Sequence, residues 1–292
     1  ANSRHLAFSN GPTVFVVDMT GKQLAKFSLP STQGIYSLKY CNKGRYLFAA
    51  NAGHYAVLDS RRYKPVRKLQ GKLPGVMGRF DVDFRLRAAV GIKGTGVYAA
   101  AFPGLSNRTA LTRIAHPGAR HVRFGPNAKY VVTCGADGVK VWNARSGALV
   151  CTVSSGNKTT KRYPVTFDLD PSDSSRLAVG TLDGRVELWS LPAGKLLAGT
   201  GWVHRPTYNC SYPLTECVRF SPDGRLLASS GKGVVKLWLL DDGGLTYLNS
   251  VRRAGDIVQI AVSPDNRKLA LCSYIRDLPV SKWPTIEIGR AS

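Results

Sequence analysis

The chain has 292 residues, and its 41 Lys and Arg against 18 Asp and Glu give a net charge of +23. That length allows one or two domains with a large core, and such a charge points to polyanionic partners. No apolar run reaches the roughly 18 residues of a membrane-spanning helix, which excludes a helical membrane protein.

No signal-peptide pattern precedes Arg4. Cysteine usage leads to the expectation of an intracellular location: nucleus or nucleolus, cytosolic ribosome, or mitochondrion. The six cysteines Cys41, Cys134, Cys151, Cys210, Cys217 and Cys272 form no CxxC pair. They read as structural free thiols in a reducing compartment. The positive charge is uneven. Residues 61–130 hold 15 Lys and Arg against 2 Asp and Glu, over half of the whole excess.

In chain order, His5–Asn10, Thr13–Asp18 and Gln23–Phe27 are predicted strands of a first group, with its innermost strand expected before Ala1. A second group spans Ile35–Gly71. The third, Val76–Ala115, keeps its alternation at Phe80, Val82 and Phe84, then in Leu86–Ile92, Val97–Phe102 and Thr109–Ile114. His116–Val153 is the fourth, Tyr163–Thr200 the fifth and Thr215–Val251 the sixth. Ile257–Ile288 gives two or three strands of a seventh. Gly201–Leu214 is a long insertion containing Trp202, Tyr208 and Tyr212. The 30 glycines and 16 prolines suit a chain that turns every eight to twelve residues.

The clearest unit is CVRFSPDGRLLASSGKGVVKLW, Cys217–Trp238. Ser221-Pro222-Asp223-Gly224 and Gly231-Lys232-Gly233 are turns between short apolar runs, and Leu245–Val251 adds a fourth strand. The pattern recurs at His121–Trp142, Val165–Trp189 and Ile257–Tyr274, and more faintly at Tyr36–Asp59. Trp142, Trp189 and Trp238 lie 47 and 49 residues apart. The repeat resembles the WD40 family, in which each copy builds one four-stranded blade of a β-propeller.

The resemblance implies an all-β fold, a single propeller of four-stranded antiparallel blades over residues 1–292. Seven is the most economical blade count, at approximately 1–33, 34–74, 75–115, 116–158, 159–205, 206–254 and 255–292. The Trp-Asp pair that names the family is absent, replaced by Trp142-Asn143, Trp189-Ser190, Trp238-Leu239 and Leu58-Asp59, and the family's Gly-His is absent too. The family's buried network of His, Ser or Thr, Asp and Trp maps onto His116, Thr133, Asp137 and Trp142. Asp183 and Trp189, and then Trp238, take corresponding places in the next two blades.

No HExxH, P-loop or GxSxG motif is present, and the five histidines lack metal-ligand spacing. Gly91–Gly96 reads as a hairpin turn, and Asp168, Asp170 and Asp173 as a solvated turn. No enzyme activity, metal, cofactor or small-molecule substrate is expected. Placed on propeller blades, Lys43, Arg45, Arg61, Arg62, Lys64, Arg85, Arg87 and Arg108 fall in turns of one face, extended by Lys22 and Lys129. Asp168, Asp170, Asp173, Asp223, Asp241, Asp242 and Asp265 fall in the turns of blades five to seven. The expected face is basic on one side and acidic on the other, with Tyr63 placed to stack on a base.

The expected function is a non-catalytic scaffold in an RNA-rich assembly: a ribosome, a mitochondrial ribosome, a ribosome-biogenesis intermediate or a spliceosomal particle. Its partners are other proteins and RNA, the latter through the backbone. The alternatives are a protein-only adaptor of a ubiquitin ligase, chromatin or ciliary complex, with an acidic partner, and a phosphoinositide-binding propeller using Val251-Arg252-Arg253-Ala254-Gly255.

Overall fold

A computed structural model describes residues 5–41, 44–72, 80–83, 88–93, 96–101, 112–126, 129–153, 163–204, 214–242, 244–253, 255–274 and 285–290. They contain 26 strands, and no helix among them is long and apolar enough to cross a membrane.

The strands form seven separate antiparallel sheets, each built from consecutive segments. The first has three strands, β1 (His5–Asn10), β2 (Thr13–Asp18) and β3 (Gln23–Ser28). The second has β4 (Ser37–Cys41), β5 (Tyr46–Ala50), β6 (His54–Asp59) and the nine-residue β7 (Lys64–Lys72). The third has β8 (Phe80–Asp83), β9 (Ala88–Lys93), β10 (Gly96–Ala101) and β11 (Thr112–Ile114). The fourth has β12 (Ala119–Phe124), β13 (Tyr130–Gly135), β14 (Gly138–Asn143) and β15 (Leu149–Val153). The fifth has β16 (Pro164–Leu169), β17 (Arg176–Thr181), β18 (Val186–Ser190) and β19 (Lys195–Gly199). The sixth has β20 (Cys217–Phe220), β21 (Leu226–Gly231), β22 (Val234–Leu239) and β23 (Thr246–Arg252). The last has three strands, β24 (Asp256–Val262), β25 (Lys268–Tyr274) and β26 (Thr285–Arg290).

In each sheet strands consecutive in the chain are antiparallel neighbours, and the described connections between them are short turns. The Ser-Pro-Asp turn illustrates the local chemistry. Ser221 Oγ donates to Asp223 Oδ1 at 2.6 Å and accepts from Leu226 N at 2.9 Å. The later copy repeats it, with Ser263 Oγ to Asp265 Oδ1 at 2.5 Å and Lys268 N to Ser263 Oγ at 2.9 Å. Side-chain oxygens thus satisfy backbone donors that the bend removes from the ladder.

The chain divides into two compact units, Ala1–Phe124 and Gly125–Ser292. In the first, Val14, Val16, Leu47, Ala49, Ala56 and Leu58 bury a core between the first two sheets. In the second, one cluster joins Val132, Val139 and Val141 to Phe167, Leu177 and Val179, and another joins Ala178 and Leu188 to Phe220, Leu227 and Trp238. Apolar residues line the inner strands, so within each unit neighbouring sheets bury their facing sides against one another. Cys41, Cys134 and Cys217 are buried free thiols, and Cys151 and Cys272 are half-buried ones; Cys210 lies outside the described residues.

Candidate nucleic-acid interface

The turn between β6 and β7 carries the densest described positive charge. Asp59 ends β6, and its Oδ1 accepts a hydrogen bond from Arg61 N at 2.8 Å. Its carbonyl accepts from Tyr63 N at 2.6 Å. Ser60 N donates to the Arg45 carbonyl at 3.0 Å, and Ser60 Oγ donates to the Gly44 carbonyl. These bonds fold residues 59–63 against the start of β5 and bring Arg45 beside Arg61, Arg62 and Lys64. All four cations are exposed, and none has an acidic partner among the described residues. Arg45 lies over the Tyr46 ring, 5.4 Å from its centroid. Lys43, Arg85, Arg87 and Arg108 lie outside the described residues.

Tyr63 corrects an expectation. Its backbone is left-handed, at φ 50°, and this turns the ring inward rather than out beside Arg62 and Lys64. Its hydroxyl is hydrogen-bonded to His5 Nδ1 at 2.7 Å and lies 3.4 Å from the Tyr40 hydroxyl. The ring packs on the first unit's core, and burial pushes the phenol pKa up. Tyr63 therefore braces the basic turn and is not free to stack on a base.

The same construction recurs in the second unit. Ala144 N donates to the Lys129 carbonyl at 3.0 Å, and Asn143 Oδ1 accepts from Arg145 N at 2.9 Å and Ser146 N at 3.0 Å. Lys129 and Arg145 thus occupy in their sheet the places of Arg45 and Arg61, and both are exposed. Leu191 N to the Ser175 carbonyl and Leu240 N to the Arg225 carbonyl continue the series, where the turns hold Leu191-Pro192 and Asp241-Asp242. The equivalent turns are basic in the second and fourth sheets and apolar or acidic in the fifth and sixth.

The expected acidic side is only partly solvated. Asp173, Asp223, Asp241, Asp242 and Asp265 are exposed. Asp170 is fully buried. It accepts from Ser172 N at 2.9 Å and Arg176 Nε at 2.8 Å, while Arg176 Nη2 reaches the Gly224 carbonyl at 3.0 Å. Gly224 sits at φ +71°, where a Cβ would lie 2.5 Å from Asp170 Oδ1, so only glycine fits. Asp168 accepts from Phe220 N at 3.0 Å and lies 3.9 Å from Arg219 Nη1. Both carboxylates join the fifth sheet to the sixth instead of forming a solvated turn. In the first unit Asp81 does the same: it accepts from Phe124 N at 2.8 Å and pairs with Lys39 Nζ.

The buried tryptophans use two arrangements. Trp142 Nε1 donates to Thr133 Oγ1 at 2.8 Å, and Trp238 Nε1 donates to Ser229 Oγ at 2.9 Å. Ser229 Oγ is also hydrogen-bonded to His204 Nε2, at 2.9 Å. His204 is buried, and burial first, then the nearby Lys236 charge, pushes its pKa down to about 4. In the fifth sheet the register puts Val179 opposite Glu187, where Thr133 stands opposite Lys140 and Ser229 opposite Lys236. Valine has no hydroxyl, and Trp189 Nε1 donates to Glu187 Oε2 at 3.1 Å instead. Asp183 accepts from Thr181 Oγ1 at 2.5 Å and Arg185 Nε at 2.9 Å. Asp137 pairs with Lys140 Nζ at 3.0 Å, and His116 is fully buried.

The family model WD domain, G-beta repeat matches residues 210–238. The crystal structure of RRP9 WD40 repeats superposes with a TM-score of 0.75 at 13% identity, covering 98% of this chain and 91% of that one. The chain has the β-propeller fold, and residues 210–238 match a WD40 repeat. Protein HIRA of Dictyostelium discoideum is 27% identical over 135 residues, 41% of this chain and 12% of that protein. Cilia- and flagella-associated protein 52 of Sus scrofa is 23% identical over 222 residues, 75% of this chain and 33% of that protein. The chain thus spans a third or less of these curated relatives.

Two features of this WD40 chain escape sequence reading. His204 stands twelve residues before the Glu216 that precedes β20, across the insertion, so its tie to Ser229 leaves no local signal. Arg145 looks like any surface residue until the Ala144–Lys129 bond shows that its turn copies the Arg61 turn. Asn143 performs the turn-capping part of the family's Asp, which explains how the fourth blade tolerates the loss of Trp-Asp.

Proposed function

We propose that this WD40 chain is a non-catalytic platform in an RNA-rich assembly, holding RNA by its phosphates through basic turns. The observation that carries the reading is the packed set of Arg45, Arg61, Arg62 and Lys64, exposed and without acidic partners among the described residues. Clustered like charges repel, and a phosphate backbone relieves that repulsion while releasing its own counterions. The net charge of +23 supplies attraction at longer range. Lys43, Arg85, Arg87 and Arg108 belong to the same proposed face, and Lys129 and Arg145 extend it. In this reading the seven sheets are the seven blades of one ring, with His116, Thr133 and Trp142 as the buried network of the fourth and Asp137 exposed at its turn beside Lys140. Proteins of the assembly take the remaining surface.

The test is charge reversal of Arg45, Arg61 and Arg62 to Glu. Binding of a fluorescent single-stranded RNA at 50 mM salt should weaken by on the order of a hundredfold or more, with the melting temperature little changed. Reversal of Arg252 and Arg253, which lie at the other end of their blade, should weaken it far less. RNA affinity that survives the triple reversal in a folded protein rejects the reading. Preference for phosphoinositide vesicles that depends on Arg252 and Arg253 would also reject it.

A further inference from the structure

The turn between β17 and β18 and the loop that leaves β19 are fastened together at the surface of the second unit. Val203 N and His204 N donate to the Gly184 carbonyl at 3.1 and 3.2 Å. Thr200 N donates to the Val186 carbonyl, and Thr200 Oγ1 accepts from Val186 N, both at 2.9 Å. The loop is thus anchored on both sides of Trp202. Yet Trp202 is 59% exposed, more than any other large apolar residue among the described ones.

Arg185 belongs to the same turn, and its guanidinium lies over the Trp202 ring, 5.8 Å from the centroid. Its Nε donates to Asp183 Oδ2 at 2.9 Å, and Asp183 is held in turn by Thr181 Oγ1. The two Nη groups of Arg185 have no partner among the described residues. The guanidinium fork is therefore oriented but only partly used. A flat apolar ring and a planar pair of donors stand side by side on backbone that is already ordered, so a ligand loses little free energy in ordering them.

We propose that Trp202 and Arg185 hold one nucleotide of a single-stranded RNA, the base stacked on the indole and a phosphate on the Arg185 Nη groups. A nucleotide joins a π-face to an anion within one residue, and the +23 chain draws such polyanions. Asp183 offsets much of the Arg185 charge, so stacking supplies most of the hold and the guanidinium sets the register. Every base has a π-face, so the site takes any of them. It rests on the RNA reading of this chain but not on the basic turn, which belongs to the first unit.

Trp202 reports on itself, since its emission is the difference between the wild type and Trp202→Phe. In the whole protein, saturating oligoadenylate should quench that emission at least twofold, and oligouridylate should do likewise. An abasic oligomer of the same length carries the same phosphates and should leave it unchanged. Arg185→Gln, checked for folding by its melting temperature, should need at least threefold more RNA for half-quenching at low salt; an unchanged requirement overturns the phosphate contact. Unquenched Trp202 emission when anisotropy shows the RNA fully bound overturns the proposal, as does equal quenching by the abasic oligomer. Quenching by a peptide of Glu and Phe but not by RNA assigns the site to a protein and overturns it too. The same titration in the protein with Arg45, Arg61 and Arg62 reversed to Glu separates the two sites. Trp202 quenching that persists there keeps this site even where the basic turn fails its own test. Loss of RNA binding there, with no quenching in the wild type, leaves the turn and removes this site.

Discussion

A buried indole N–H must find an acceptor, and the three tryptophans show how one position decides which. Thr133 and Ser229 supply hydroxyls to Trp142 and Trp238, whereas Val179 supplies none and Glu187 serves Trp189. Trp142→Ala should cost about 3–5 kcal/mol in urea denaturation, the range for a large buried aromatic. Thr133→Val should cost about 1–3 kcal/mol, because it leaves the Trp142 N–H buried without a partner. A variant of either kind with wild-type stability would place these residues outside the core. His204 adds a pH dependence. Its folded-state pKa is depressed from the ordinary 6.5 to about 4, so the native state stays neutral where the unfolded chain takes up a proton. The stability it contributes is therefore complete above pH 6.5 and is lost as pH falls toward 4, by about 3 kcal/mol at most. Melting temperatures between pH 7 and 4.5 should fall less steeply in His204→Gln than in the wild type; identical slopes would remove His204 from the account. The tryptophan positions were legible from their spacing. His204 was not, because its partner Ser229 is 25 residues away.

At the scale of strands and sheets, turn chemistry was the readable part. Ser-Pro-Asp, Gly-Lys-Gly and the alternating runs mark most strands to within a few residues, since proline, glycine and Asp-capped bends act locally. What holds one sheet to the next was hidden. Asp81 and Asp168 sit on inner strands where alternation alone makes them look like solvated residues. Each instead accepts the backbone N–H of a phenylalanine in the following sheet, 43 and 52 residues on. The burial of Asp170 escaped for the same reason, as its cation Arg176 is committed partly to the Gly224 carbonyl in the next sheet. Removing such a carboxylate strands both a buried N–H and a cation. Asp81→Ala should therefore destabilise by on the order of 3 kcal/mol, and Asp81→Asn by less, because the amide oxygen still accepts from Phe124 N. Chemical denaturation of the two variants checks the order; equal loss would mean that the charge on Asp81, not the bond to Phe124, dominates.

For the whole molecule, the excess of positive charge was plain in the sequence, and the repeat supplied a rule for which turns share a face. The structure brings Arg45, Arg61, Arg62 and Lys64 together through the Ser60 bonds to Gly44 and Arg45. It withdraws Tyr63 from the site, because its left-handed backbone aims the ring at His5 and Tyr40, a geometry no local sequence signal specifies. The proposed interface is one of charge with no described aromatic platform. It should therefore read phosphates and be nearly indifferent to base identity. The most direct measurement is the affinity of the purified protein for single-stranded RNA as a function of salt concentration. If about four phosphates are neutralised, the log–log slope should be roughly −3 and alike for sequences of different base composition. A slope near zero, or strong dependence on base sequence at constant salt, would contradict the account.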